Sequence, residues 1–371
     1  MKNLITSLFF ALLITCAVSD VSHSIQTQTT IDNILSVFIE RGNTKEIFKV
    51  WHSIYRPSYD VNTEQGINKY KVFKANLKEI NNHNSKNLSW KAGINIYSDM
   101  TAAELEKYFN IKEMNLSDYR KTMRGLLSLD DYDDSQDNHS DPDPPQNPNL
   151  EGKKVAVDWT SLMNPVRNQG GCGSCWAFSV SGAVEGNYAT NKPVKSPVLS
   201  TQQLVDCDVN NGGNWGCSGG WMIHATSYYQ AKGIMNEVDY PYKAVNQACQ
   251  YNAANLSVVK VVGMETTSVS DVGMFTALKN GPMSVCVNVQ SAFYSYKSGL
   301  YNAVCTLVCH HAVVLLGWVG DDLEGNHWLL RNSWGTSWGE FGNFKVKDNG
   351  SANSYSCMVG YAPYAVRPKT N

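Results

Sequence analysis

The sequence predicts an α+β chain: a mainly helical N-terminal region, then a two-lobed domain with one helical lobe and one β lobe. Three observations carry this. Before residue 116, apolar residues recur at helical spacing, with Ile67, Tyr70, Phe73, Leu77 and Ile80 on one face. In the C-terminal part, Trp176 to Ala189 repeats that spacing. From Met283 the period becomes two, with Val285, Val287 and Val289 alternating against Ser284, Cys286 and Asn288. A helical lobe beside a β lobe leaves a cleft between them, a favoured place for a site.

Taken in order, the chain reads as four segments. Residues 1–19 read as a secretory signal peptide: Lys2 precedes the apolar run Leu4 to Val18, and Ala17-Val18-Ser19 offers small residues for cleavage before Asp20. That run is short for a membrane span, and no later stretch is long and apolar enough for one. Residues 20–116 are Lys- and Asn-rich with the helical periodicity above. Residues 117–151 contain Asp130-Asp131-Tyr132-Asp133-Asp134 and Asp141-Pro142-Asp143-Pro144-Pro145. Such charge and helix-breaking proline, with few apolar residues, read as a protease-accessible linker and processing region. Residues 152–371 are rich in Gly, Trp and Cys and read as the globular domain. Within it Ser200 and Gln203 form a capping-box start, Trp221 to Lys232 reads as a helix closed by Gly233, and His311 to Val319 and Trp328 to Leu330 read as strands.

A chain of 371 residues with 43% apolar residues can bury a sizeable core. Its net charge of -2 and lack of a basic, aromatic-interleaved stripe exclude a general nucleic-acid binder. Of ten cysteines, Cys16 falls in the leader and the others lie between Cys172 and Cys357. Clustered cysteines on an export route are usually disulfides, and an odd number leaves a free thiol. Asn-x-Ser sequons at Asn87, Asn115, Asn138, Asn255 and Asn349 fit the same route.

The chemistry concentrates in Gln169-Gly-Gly-Cys-Gly-Ser-Cys175-Trp-Ala-Phe178. A glycine-rich turn feeds a helix whose first residue is a cysteine, and the positive end of a helix stabilises a thiolate. Cys172 and Cys175 could instead form a redox dithiol or half of a zinc site. The surroundings lack a thioredoxin-like βαβ pattern, and the adjacent Cys309, His310 and His311 are poorly spaced to complete a tetrahedral ion. A nucleophilic thiolate needs a base, and His311 opens an apolar strand far downstream. Asn332 follows in Arg331-Asn-Ser-Trp-Gly-Thr-Ser-Trp-Gly339.

Together with Val157-Asp-Trp159, Gly216-Cys-Ser-Gly-Gly220 and Tyr240-Pro-Tyr242, these strings make the chain resemble the papain family of cysteine peptidases, in its cathepsin L-like branch. The N-terminal region resembles that branch's inhibitory propeptide through Phe73-x-x-Asn76-x-x-x-Ile80-x-x-x-Asn84 and Gly93-x-Asn95-x-Tyr97-x-Asp99. Gln65 and Lys69 stand where the helical motif usually has Glu and Arg. The resemblance implies a papain-like fold with a β-barrel-like second lobe.

It implies Cys175 as nucleophile paired with the His311 imidazolium, Asn332 orienting the ring, and Gln169 donating with the Cys175 N–H to an oxyanion. Trp334 would cover the His–Asn contact. Gly219 and Gly220 would pair with substrate backbone, and Trp221, Met222, Cys286, Cys309 and Ala362 would line the P2 pocket. None of these five is acidic, so bulky apolar residues are expected at P2. Implied disulfides are Cys172–Cys217, Cys207–Cys249 and Cys305–Cys357. For Cys286 and Cys309 free thiols are expected, with a fourth disulfide, or a metal shared with His310, as alternatives.

The expectation is a cysteine endopeptidase made as a zymogen, needing no metal or organic cofactor. It would act on protein and peptide substrates as a monomer inhibited by its own propeptide, without stable membrane insertion. The destination would be a lysosome, a digestive vacuole or the extracellular space. An exopeptidase of the same family, or a catalytically silent binding protein, are the rival readings. The short Cys207 to Cys217 segment leaves no room for an occluding loop, and the complete Cys175, His311, Asn332 and Gln169 set argues against a silent protein.

Overall fold

The computed structural model describes residues 21–40, 42–110, 157–192, 194–209, 214–266, 271–303, 305, 308–320, 325–348 and 365–371. The signal segment, the acidic linker, Gly152, Cys357 and Ala362 therefore lie outside the described residues. The chain divides into two compact units, Met1–Lys74 and Ala75–Asn371.

The first unit holds α1 (Val21–Glu40), α2 (Thr44–Tyr55) and the start of α3 (Glu64–Asn84). Asn43 caps α2, its side chain accepting from the N–H groups of Lys45 and Glu46. Phe48, Trp51 and Phe73 are buried together with ring centroids 5.1–5.8 Å apart, and Tyr70 lies 5.2 Å from Phe48. The α3 stripe read from the sequence is buried at Phe73, Leu77 and Ile80, whereas Ile67 is 48% exposed. Ile67 stands in the first turn of α3 and lies outside the face that packs.

The second unit opens with the rest of α3, β1 (Trp90–Ala92) and α4 (Ala102–Tyr108). Asn76 donates to the carbonyls of Ser98 and Met100, and Asn84 exchanges hydrogen bonds with the backbone of Ala92. The two N-terminal motifs are thus tied to each other physically. Thr101 and Glu104 form a reciprocal capping box at α4.

The helices of the first lobe are α5 (Cys175–Asn191), α6 (Thr201–Cys207) and α7 (Met222–Lys232). An all-round apolar helix has to be enclosed, and α5 is: Trp176, Ala177, Val180, Ala183 and Val184 are all fully buried. Ser200 caps α6 by accepting from the Gln203 N–H, as expected. The Gln203 side chain does not return the bond; it donates to Gly233 O and accepts from Met235 N, tying α6 to the end of α7. Gly233, at φ +82°, closes α7.

The strands are β2 (Val157–Asp158), β3 (Val261–Thr266), β4 (Met283–Val287), β5 (Tyr296–Tyr301), β6 (His311–Val319), β7 (His327–Arg331), β8 (Asn343–Lys347) and β9 (Val366–Thr370), with α8 (Asp271–Leu278) between β3 and β4. Among the described residues they form one sheet in the order β1-β5-β8-β7-β6-β4-β9-β3, with β2 on β6. All pairs are antiparallel except β5 with β8. The N-terminal β1 joins this sheet, Trp90 opposite Gly299. Where α5 meets β4 and β6, Ser179 donates to Val313 O at 2.6 Å and its hydroxyl meets that of Ser284. That contact sets the first residue of α5 against the first residues of β6.

Candidate active site

The turn before α5 is held from below. Cys172 is bonded to Cys217, and the Gly173 N–H donates to Cys217 O at 2.9 Å. A Cβ at Gly173 would lie 2.6 Å from that carbonyl, so the approach needs glycine. Ser174 precedes α5 without a side-chain cap, so the Cys175 and Trp176 amides at the helix start are left to face the Cys175 thiol. Cys175 sits there, half-buried, and is the free cysteine among the described residues. Burial pushes its thiol pKa up; hydrogen bonds with the backbone of Ala312, Trp176 and Cys175 itself oppose that.

His311, fully buried, starts β6, one residue before Ala312. Its Nε2 lies 2.7 Å from Asn332 Oδ1 and donates to it; Nδ1 is buried and makes no hydrogen bond. The Asn332 oxygen also accepts from the Ser333 N–H at 2.7 Å. Trp334 lies 4.9 Å from the imidazole, ring to ring, and shields it from water. Burial pushes the His311 pKa down to about 4, with the Asn332 hydrogen bond raising it and the neighbouring His310 lowering it. In this structure burial therefore opposes charge on both the thiol and the imidazole.

Gln169 is fully buried and fixed at both ends of its amide. Ser333 donates to Oε1 at 2.6 Å, and Nε2 donates to Cys172 O at 2.9 Å. One amide hydrogen is left over for a further acceptor. The Tyr242 hydroxyl donates to Gln169 O at 2.7 Å and meets Ser174 Oγ at 2.6 Å. Ser333 and Tyr242 escaped the sequence reading as site residues, although both stand inside strings that it singled out.

Part of the N-terminal region lies against this machinery. Phe109 stacks on Trp334 at 4.3 Å, and the Tyr97 hydroxyl donates to Trp334 O at 3.1 Å. Asn95 donates to Tyr294 O, and Asn110 donates to Cys217 O at 2.6 Å. The Tyr108 ring faces Gly171, whose Cβ would lie 3.1 Å from it. Residues 108–110 thus rest on the turn that presents Cys175.

Trp221, Met222, Cys286 and Cys309 fall in one buried cluster with Ala312, and Cys175 packs against it. Gly219, at φ +110°, has open space where a Cβ would stand. Cys207 is bonded to Cys249, and Cys305 also belongs to a disulfide. The expectation of free thiols at Cys286 and Cys309 is corrected: the two form a disulfide, with Cα atoms 5.6 Å apart. Two cysteines facing each other directly across adjacent strands point the same way and resist the torsions of a disulfide. The register instead pairs Cys286 with Ala312, and Cys309 lies ahead of β6, off the end of that ladder. A diagonal approach of this kind permits the torsions that a directly opposed pair resists. Among the described residues no group of His, Cys, Asp and Glu is arranged to hold a metal ion, and no helix is long and apolar enough to cross a membrane.

Residues 154–366 match the papain family cysteine protease domain, and residues 48–105 match the cathepsin propeptide inhibitor domain. The chain is 34% identical over 340 residues to a cathepsin L-like proteinase of Fasciola hepatica, covering 88% of this chain and 94% of that one. It is 33% identical over 364 residues to a probable cysteine protease, RD21B, of Arabidopsis thaliana, covering 95% and 71%. In three dimensions it is similar to the digestive procathepsin L2 proteinase from the larval midgut of Tenebrio molitor. That similarity has a TM-score of 0.70 at 28% identity and covers 88% of this chain and 99% of that one.

Proposed function

The chain belongs to the papain family of cysteine proteases, and from that premise we propose that it is an endopeptidase made as an inhibited zymogen, with Cys175 as its nucleophile. The observation that carries this is the buried Nε2–Oδ1 bond between His311 and Asn332. It leaves His311 Nδ1 as the free nitrogen of a fixed ring, one residue from the Ala312 backbone that touches the Cys175 thiol.

Release of the N-terminal region admits water to the cleft and lowers the cost of charge there. Proton transfer from Cys175 to His311 then gives a thiolate at the start of α5, where the helix favours it. The thiolate attacks the peptide carbonyl. The Cys175 N–H and the spare hydrogen of the Gln169 amide receive the oxyanion. The imidazolium protonates the leaving amine, and the same imidazole then activates water to hydrolyse the thioester.

Gly219 and Gly220 take the substrate backbone in an extended conformation. The apolar cluster of Trp221, Met222 and the Cys286–Cys309 disulfide favours Leu, Val or Phe at P2. Endopeptidase action rests on the short Cys207 to Cys217 segment, which supplies nothing to close an end of the cleft. Acid releases the N-terminal region and cleavage falls in residues 117–151, leaving a mature terminus near Gly152. A lysosomal, vacuolar or extracellular site of action suits such a precursor.

The test is acid processing of the purified wild-type precursor beside Cys175→Ser, followed by a peptide library and a thiol alkylator. Internal cleavage after apolar P2 residues, lost with Cys175, supports the proposal. Wild-type turnover by Cys175→Ser, or trimming confined to chain ends, overturns it.

A further inference from the structure

A buried polar relay runs behind the Gly219–Gly220 strip. Asp208 closes α6 as its C-cap and is 5% exposed. Asn214 is 1% exposed and donates to Asp208 Oδ2 at 2.5 Å. The Asn214 oxygen in turn accepts from the Trp221 N–H at 2.5 Å, at the start of α7. Gly220 is packed onto the same group: a Cβ there would meet Asn214 Oδ1 at 2.5 Å and the Trp176 ring at 2.6 Å. One asparagine side chain is therefore the inner wall of the strip, and a carboxyl group is what holds that asparagine.

We propose that Asp208 is a positioning residue, holding the Gly219–Gly220 strip through Asn214 in the geometry that receives substrate backbone. This rests on the reading of that strip as the substrate-pairing segment. A neutral carboxylic acid completes the relay, with Oδ2 as the carbonyl acceptor for Asn214 and the proton on the other oxygen. An ionised Asp208 would be a buried charge at the negative end of α6. Among the described residues no cation faces it: Asn214 is its hydrogen-bond partner, and from α7 the Tyr228 phenol faces it, itself pushed up by burial. On its own helix Asp206 directs its carboxylate away, to Gln202, Tyr240 and the Gln247 N–H. Burial accordingly pushes the Asp208 pKa up to about 7. Below that pH the relay is intact and uncharged. Above it, burial draws the charged Asp208 end toward water against the opposing Asn214 hydrogen bond, which displaces Asn214, Trp221 and the strip and weakens substrate binding.

The experiment compares KM and kcat across about pH 5 to 9 for enzyme processed from full-length wild type, Asp208→Asn, Asn214→Ala and Gly219→Ala. Wild-type KM should rise about tenfold above neutral pH at constant kcat, the effect of roughly one pKa unit of coupling. Asp208→Asn keeps an acceptor that never ionises, so its KM should stay low and flat. Asn214→Ala cuts the relay, so its KM should be high and flat. Gly219→Ala tests the strip separately and should raise KM at every pH. If Gly219→Ala leaves KM unchanged, the substrate-pairing reading fails. If it raises KM while Asp208→Asn or Asn214→Ala keeps the wild-type alkaline rise, the relay proposal alone is overturned.

Discussion

The Ser333 hydroxyl donates to Gln169 Oε1 at 2.6 Å, so the residue after the one that orients His311 also orients the amide proposed for the oxyanion. Base and oxyanion donor are thereby set by adjacent positions of one loop. Gln169→Ala should lower kcat by about 10²–10³, the scale for one oxyanion donor. Ser333→Ala keeps the amide and removes its anchor, so a smaller loss of about tenfold in kcat is expected, with KM little changed. Steady-state kinetics on processed enzyme decides it, and a Ser333→Ala defect confined to KM would refute the coupling.

Acid should loosen the precursor through His311. Its pKa is pushed down to about 4 from an ordinary 6.5, so an exposed copy binds a proton at a pH where the buried one does not. The stability owed to the buried neutral ring is complete above about pH 6.5 and is lost as pH falls through about 4. At about 1.4 kcal/mol per pKa unit, the loss over that window is about 3 kcal/mol. Thermal unfolding of the Cys175→Ser precursor, which cannot process itself, should show a falling Tm across this range. Adding His311→Ala should flatten the fall. An unchanged slope would remove His311 from the acid response.

The stack of Phe109 on Trp334 at 4.3 Å should be a main hold of the N-terminal region on the catalytic loop. Removing a buried aromatic ring costs about 3–5 kcal/mol where it packs well. Phe109→Ala should therefore shift self-processing toward neutral pH and shorten its lag, while the processed enzyme, which lacks this residue, keeps wild-type kinetics. A processing profile identical to wild type would show that the other contacts, Tyr97 and Asn110 among them, suffice.

What could be read in the sequence was local. Cys175 at the head of α5, His311 at the head of β6 and the Asn332 loop each sit in a short string whose spacing or glycine content marks it. The same holds for the ties from Asn76 and Asn84 to the second N-terminal motif, since both ends lay in recognisable strings. Contacts between distant segments were not legible. Nothing near Trp90 announces that β1 will pair with β5 at Gly299. Gln203 read as half of a capping box because Ser200 lies three residues before it; its partners, Gly233 and Met235, come from the end of another helix. Asp208 carries no signal at all until Asn214 and Trp221 are folded onto it. Periodicity also overstated α3, since a regular apolar spacing at Ile67 does not ensure that the first residue of a stripe meets a neighbour.

The Cys286–Cys309 disulfide gives the last prediction. It joins the C-terminal end of β4 to the segment that enters His311, two residues further on, and both sulfurs are buried in the cluster against which Cys175 packs. Alkylation of unreduced, processed enzyme followed by mass spectrometry should therefore label Cys175 and leave Cys286 and Cys309 unlabelled; label on all three would restore the free-thiol reading. The bond spans a sequence separation of 23 residues, and closing a loop of that order restricts the unfolded chain by about 3 kcal/mol. The double variant Cys286→Ala, Cys309→Ala should lose stability on that scale. Because the bond also fixes where β6 begins, the variant should move the pH profile of kcat, a readout that loss of global stability alone leaves in place. Two smaller side chains in the same apolar wall enlarge the proposed P2 pocket, so preference there should shift from Leu and Val toward Phe. A variant with wild-type pH profile and wild-type P2 preference would confine the disulfide to a purely structural part.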